Sequence, residues 1–437
     1  MYIWIYLVLR PLSYRPTRFL LKSGFSANQV TVISTIVGLI GCIFLILGGF
    51  VARICGFLLL NIWLLLDCVD GNIARLKKTS SSYGKFLDSL GGDMVSICVF
   101  LCIGFGIFRN PDSSLLLSSW KANDIFINKS IFLILGFASS ACYLLSKLIS
   151  LLNKSLFAES LKYDVISSPK NSNRLHSILW TISANLFGIS GFFLPLFFLA
   201  TILNLLGLFQ ILFLLVNFGV FAYIVKRIIT KSIRMKTDIH LKKSAVLAVI
   251  LGTAGCILLA TGHYYTRISG IILIGLWVII GHVKSDLLLF NNTLKRLDDI
   301  VITLSDYIIS TFLFMSAAVG VYMKPGRSAA LIFGVWASLT AILPRFILYK
   351  FSDICLHGDI EAFKRFIEDE RTFLSVFLKI CRKAASISGL VILILLIAAI
   401  FNSLEWFVVF YALLNSILFL FILFFSFRTK LKALNNL

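Results

Sequence analysis

Charged residues are what this chain lacks most. Only 14% of its 437 residues are Asp, Glu, Lys or Arg, and only 20 are acidic. Soluble globular domains carry about 25% charged residues, so a water-facing surface of ordinary composition is excluded. Histidine is scarce as well: five residues are scattered along the chain, none in an HExxH pair. The nine cysteines form no CxxC pair and no metal-spaced cluster, and most lie in apolar runs, where they read as small core residues. These absences leave no sign of a zinc or dithiol centre.

What the chain has in excess is apolar sequence, 59% of it, with a mean hydropathy of +0.95. Apolar runs of roughly 17–25 residues, each long enough to cross a bilayer as a helix, alternate with short charged segments. The reading is an all-α polytopic membrane protein with about twelve spans. They fall at 33–52, 54–70, 89–109, 130–151, 177–199 and 203–225, then at 245–262, 267–283, 299–323, 328–349, 378–401 and 405–427. Ahead of them, Arg10, Arg15, Arg18 and Lys22 alternate with Leu12, Phe19, Leu20 and Leu21, the pattern of a helix lying in the membrane interface. The leading MYIWIYLVLR lacks a basic start and a small-residue cleavage site, and reads as an anchor or interfacial segment.

The formal net charge of +21 follows from topology rather than from nucleic-acid binding. Lys226, Arg227, Lys231, Arg234, Lys236, Lys242 and Lys243 crowd the segment after the sixth span, opposed by Asp238. By the positive-inside rule that segment is cytoplasmic. Counting spans in both directions puts both termini and the loop near Arg75, Lys77 and Lys78 on the same side. The expected location is a bacterial inner membrane or an equivalent cytoplasm-facing membrane. The segment bearing Lys162, Lys170, Arg174 and His176 reads as a solvated loop.

An internal repeat runs through the apolar sequence. The 38 residues from Val32 match those from Val246 at 14 positions, without a gap, at an offset of 214. The pairs include Gly38/Gly252, Gly41/Gly255, Gly48/Gly262, Arg53/Arg267, Gly56/Gly270 and Trp63/Trp277. At an offset of 198, Asn204 and Asn217 meet Asn402 and Asn415. Composition alone does not align Gly, Arg, Trp and Asn in this way. The domain reading is therefore an interfacial segment at 1–31, a six-span repeat at 32–228, a basic linker at 229–244 and a second six-span repeat at 245–437. An even number of spans makes the two repeats parallel.

The chemistry lies in the first repeat. Asp67, Asp70, Asp88 and Asp93 cluster around the end of the second span and the start of the third, and ionisable groups at membrane depth are functional candidates by default. Asp67 and Asp70, three apart, share a helix face. Gly71 and Ala74 keep that face small, and Arg75 adds a cationic fork suited to phosphate. Convergent carboxylates, with no His and no cysteine pair in the run, describe a hard-cation site for Mg²⁺ or Mn²⁺.

The run D-x2-D-G-x2-A-R-x8-G-x3-D, from Asp67 to Asp88, resembles the signature of the CDP-alcohol phosphotransferase family, and SANQVT, ending at Thr31, resembles the family's P-N-x-x-T element. The resemblance implies a transferase that moves a substituted phosphate from a CDP-alcohol to an acceptor alcohol and releases CMP, in phospholipid or related glycolipid synthesis, with at least one substrate a lipid. It implies that Asp67, Asp70 and Asp88 ligate one or two divalent cations and that Gly71, Ala74, Arg75, Gly84 and Thr31 line the CDP site. The family pattern ends on a fourth aspartate, x3 after the third. Here that position is Gly92, and Asp93 comes one residue late. A one-residue π-bulge at Gly91 and Gly92 would return Asp93 to the site, as general base beside Asp88 or as a further metal ligand.

The second repeat keeps none of this. Gly281, Lys284, Ser285, Leu289, Asp298, Ile302 and Tyr307 stand opposite Asp67, Asp70, Gly71, Arg75, Gly84, Asp88 and Asp93. The expectation is one live and one silent site in a single-chain pseudo-dimer. The competing class is a carrier or a non-catalytic nucleotide- or lipid-binding membrane protein, because two parallel repeats of six spans also describe many transporters. The acidic cluster in only one repeat argues against it.

Overall fold

A computed structural model describes residues 3–110, 129–164, 189–234, 239–289, 295–323, 327, 329–356 and 390–435. Among these there are thirteen α-helices and no β-strand. Nine helices are long and apolar enough to cross a membrane, and two shorter apolar helices cover Gly191–Ile202 and Leu247–Ala260. The protein is an all-α polytopic membrane protein. Much of the expected spans at 177–199 and 378–401 lies outside the described residues, as do Lys170, Arg174 and His176.

The chain divides into two compact units, one of Met1–Ser146 with Phe157–Tyr223 and the other of Lys147–Leu156 with Ile224–Leu437. In the first unit, the basic helix α1 (Arg10–Lys22) lies against α3 (Phe50–Leu76), which also packs on α2 (Ala27–Leu47). α2 packs in turn on α4 (Ser82–Arg109). The unit also takes in α5 (Ser130–Asp164) apart from Lys147–Leu156, α6 (Leu194–Ile202), and α7 (Leu206–Arg234) as far as Tyr223. α4 and α5 are the inner helices, with most of their apolar stretch buried, whereas α7 is largely exposed. The core is aromatic: Phe100, Phe193, Phe197, Phe209 and Phe213, with edge-on and tilted ring contacts, share one buried cluster with Trp63 and Leu64. Ile33, Ile36, Ile40, Ile43 and Leu47 of α2 face outward, a surface that only lipid or another apolar partner can cover.

Local sequence sets these boundaries. α2 begins in a capping box, with Ser26 accepting from the Gln29 amide at 3.3 Å and the Gln29 side chain accepting from the Ser26 amide at 2.9 Å. It ends at Gly48, whose φ of +75° is the left-handed cap that glycine adopts without strain. Arg53 satisfies the Gly48 carbonyl with two bonds, of 2.9 and 2.6 Å. α3 runs six residues past the apolar stretch because hydropathy marks hydrocarbon rather than helix. It stops at Lys77, and Lys78 takes the left-handed conformation, φ +55°. Ser81 then caps α4, accepting from the Gly84 amide at 3.0 Å.

The second unit holds α8 (Ile239–Ala260), α9 (Tyr264–Leu289), α10 (Lys295–Tyr322), α11 (Ala329–Cys355), α12 (Ile392–Ile400) and α13 (Leu404–Asn435). It repeats several local geometries of the first at the offsets read from the sequence. Gly262 is left-handed, φ +83°, and Arg267 donates to its carbonyl. A Cβ on Gly41 or Gly56 would meet the other's carbonyl oxygen at 3.3 or 3.0 Å, and Gly255 and Gly270 stand in the same relation at 2.7 Å. Asn204 and Asn402 take φ +55° and +56° just before α7 and α13. Here Trp277, Phe314, Phe407 and Tyr411 form the core.

Candidate metal and nucleotide site

Three carboxylates meet at one end of α3 and α4. Asp67, Asp70 and Asp88 each offer an oxygen, and these oxygens lie within 4.8 Å of one another. Asp67 and Asp70 come together by the 3.6-residue period of one helix. Asp88 joins them from α4 because the α3–α4 connection is short and stopped at both ends. Asp70 is buried, Asp67 half-buried and Asp88 exposed, so the cluster is deep on one side and open on the other.

The neighbours of the cluster fix it in place. The Thr31 hydroxyl donates to Asp70 Oδ2 at 2.6 Å, from the first turn and a half of α2. Thr31 therefore holds a carboxylate, a role the sequence reading did not assign to it. The side of Gly71 is covered by the Arg75 guanidinium, whose Nη atoms would stand 3.3 Å from a Cβ there. Arg75 Nη2 donates to Asn72 Oδ1 at 2.8 Å, and Asn72 Nδ2 donates to Ser13 Oγ at 3.0 Å and Thr17 Oγ1 at 3.3 Å. Ala74, half-buried between Ile73 and Arg75, adds no bulk. Gly84 faces Asn28, whose Oδ1 would lie 3.0 Å from a Cβ at that position. Lys77 Nζ donates to the Phe25 carbonyl at 2.9 Å, tying the end of α3 to the turn before α2.

Asp93 is placed differently. α4 is α-helical throughout Ser82–Arg109, so the π-bulge expected at Gly91 and Gly92 is absent. Gly91 has another use: a Cβ there would collide with Thr35 Oγ1, so this glycine lets α4 approach α2 closely. Asp93 lies outside the three-carboxylate group. It is buried, and its Oδ1 accepts from the Tyr143 hydroxyl of α5 at 2.8 Å. A Cβ at Gly92, one turn beyond Asp88, would meet nothing within 4 Å.

Sequence reasoning missed Asn72, Ser13, Thr17 and Tyr143. The signal for Ser13 and Thr17 was available, since two hydroxyls four apart mark a polar face on an amphipathic helix. Tyr143 gave none, standing inside an apolar run. In the second unit the residue opposite Asp93, Tyr307, is buried beneath the Arg345 guanidinium, 5.1 Å from its ring centroid, and bonds to the Tyr349 hydroxyl at 3.3 Å. The side chains of 282–302, which include the positions opposite Asp70, Arg75 and Asp88, lie outside the described residues.

The donor set suits a hard divalent cation: oxygen only, from three carboxylates, with a guanidinium beside them. Residues 25–146 match the family model of the CDP-alcohol phosphatidyltransferases. The match covers a little over a quarter of the chain, all of it in the first unit. It takes in Thr31, the three clustered aspartates, Gly71, Ala74, Arg75 and Gly84, and also Asp93 and Tyr143. No curated protein matches the chain.

Proposed function

We propose that the first unit is a divalent-metal-dependent transferase that moves a substituted phosphate from a CDP-alcohol to an acceptor alcohol and releases CMP. The observation that carries this is the convergence of Asp67, Asp70 and Asp88 within 4.8 Å, beside Arg75, in the segment matching that family. Asp67, Asp70 and Asp88 would hold Mg²⁺ or Mn²⁺, with Thr31 fixing the Asp70 carboxylate. The chemistry supplied by a cation there would be positive charge against the pyrophosphate and the departing CMP. Arg75 takes a phosphate oxygen of the donor. Gly71, Ala74 and Gly84 leave room for the nucleotide against the backbone.

In the reaction the acceptor oxygen forms a bond to the phosphorus distal to cytidine, and the bond from that phosphorus to the CMP oxygen breaks. The acceptor proton passes to a carboxylate and then to solvent. Asp93, outside the three ligands and held at Oδ1 by Tyr143, is assigned that proton; because α4 carries no bulge to turn it toward the cluster, Asp88, the exposed member, is its rival. The site opens at the cytoplasmic face, where nucleotide arrives from water and a lipid enters laterally. The second unit is a silent copy, and the chain works as a pseudo-dimer.

The test is CMP release by purified protein with Mg²⁺ or Mn²⁺ and a panel of CDP-alcohols and acceptors. Release that exceeds an Asp88→Ala control is expected with at least one pair. No release above that control, with any donor, overturns the reading.

A further inference from the structure

The position between the second aspartate and the arginine is not a neutral spacer in this chain. Asn72 is buried at the contact of α1 with α3, and it makes three hydrogen bonds with a fixed sense. Ser13 and Thr17 are buried too, and their hydroxyl hydrogens are committed within α1. Ser13 Oγ donates to the Arg10 carbonyl at 2.7 Å, and Thr17 Oγ1 donates to the Ser13 carbonyl at 2.7 Å. Their oxygens are therefore left as acceptors, and the two hydrogens of the Asn72 amide go one to each. The amide oxygen is then the atom that faces Arg75. A flipped amide would point N–H groups at a guanidinium that has only donors to offer. The orientation of Asn72 is thus decided by α1.

We propose that Asn72 is a positioning residue of the nucleotide site, transmitting the placement of the interfacial helix α1 to the Arg75 guanidinium. Arg75 itself is exposed and stands in the last turn of α3, where a long side chain has many rotamers. Asn72 removes most of that freedom, because its oxygen holds Nη2 while the guanidinium lies over Gly71. The fork is thereby set before the donor arrives, and donor affinity benefits because less ordering remains to be done on binding. The packing around it supports the coupling. Leu20 and Leu21 of α1 lie against the cluster of Val30, Val69 and Ile73, so α1 is seated on the same turn of α3 that carries Asn72. α1 also exposes Leu12, Tyr14 and Phe19 beside its arginines, the groups by which it would meet the membrane surface. The inference rests on the reading that Arg75 takes the donor's pyrophosphate.

The test is a double-mutant cycle on CDP binding in the presence of Mg²⁺, measured by titration calorimetry on the full chain, with KM and kcat followed in the same variants. Asn72→Ala is expected to weaken CDP binding about tenfold, the scale of one hydrogen bond to a charged group, raising the donor KM with little change in kcat. Arg75→Ala should weaken binding at least as much, and the double variant no more than Arg75→Ala alone. Additive losses overturn the positioning role while leaving the nucleotide site in place. An Arg75→Ala variant that binds CDP normally overturns instead the reading on which the proposal rests. If Asn72→Ala does not fold, the pair Ser13→Ala and Thr17→Val decides the matter. It leaves Asn72 and Arg75 intact, and it should weaken CDP binding only while Arg75 is present.

Discussion

Asp70→Asn gives the sharpest test of the carboxylate cluster, because the change should be clearly stabilising without metal and close to neutral with it. The Asp67, Asp70 and Asp88 oxygens lie within 4.8 Å of one another. At an effective dielectric of about 20, two charges at that separation repel by about 3 kcal/mol, and by under about 1 kcal/mol in water-like surroundings. The higher figure applies to the pair of Asp70 with half-buried Asp67, the lower to its pair with exposed Asp88. Against this relief stands the bond from Thr31 at 2.6 Å, which weakens by about 1 kcal/mol when its acceptor becomes a neutral amide. In chelator, therefore, Asp70→Asn should be more stable than the parent by about 2–3 kcal/mol. Cation at a hundred times its Kd should stabilise the parent by about 2.7 kcal/mol and the variant hardly at all. The two proteins should then be close to equal in Mg²⁺ and well apart in EDTA. Thermal unfolding in one detergent, with a Mg²⁺ titration, measures both limbs. A variant that is less stable than the parent in EDTA, or that keeps the parent's Mg²⁺ response, refutes the cluster as a cation site.

Three further outcomes follow from the geometry. Asp93→Asn and Tyr143→Phe should both lower kcat for CMP release, the first by a hundredfold or more and the second by about tenfold, with Mg²⁺ stabilisation retained. If Asp93→Asn keeps near-parent CMP release while Asp88→Asn abolishes it, the proton belongs to Asp88. Gly91→Ala should destabilise the first unit by about 1–3 kcal/mol, read by thermal unfolding, because the new methyl group collides with Thr35 where α2 and α4 meet. Gly48→Ala should do at least as much, since it adds a strained left-handed φ of about 1–2 kcal/mol to a Cβ 2.5 Å from the Gly106 carbonyl oxygen. An Ala scan of both glycines that leaves the melting temperature unchanged would contradict this account of the helix contacts.

The local periods and compositions of the chain carried a good part of the answer. Apolar length alone marked helices from α2 to α13, because crossing hydrocarbon forces every backbone group into an intrahelical bond. Gly48 at the end of α2 and the Ser26–Gln29 box at its start are local signals too, although the apolar run 33–52 passes through the first and starts beyond the second. Asp67 and Asp70 shared a face by their spacing alone, and Gly71 and Arg75 followed on the next turn. With no histidine or cysteine among them, the oxygen-only donor set was legible before any fold was known.

Tertiary structure decided what depends on how one helix is rotated against another. Each residue turns a helix by about 100°, so the presence of one extra residue before Asp93 could not say whether the backbone would absorb it. α4 stays regular, and Asp93 goes to Tyr143, fifty positions away. Thr31 meets Asp70 across 39 residues, and Asn72 meets Ser13 across 59. None of these pairs has a sequence period, because each depends on the packing of α1, α2 or α5 against the helix it serves. The sequence by itself determined the membrane class, the helices and the donor chemistry, all set by interactions within a few turns. Which carboxylates converge, and what holds Asp70 and Arg75 in place, came only from the packing of those helices, since a side chain a few ångströms away through space can lie anywhere along the chain.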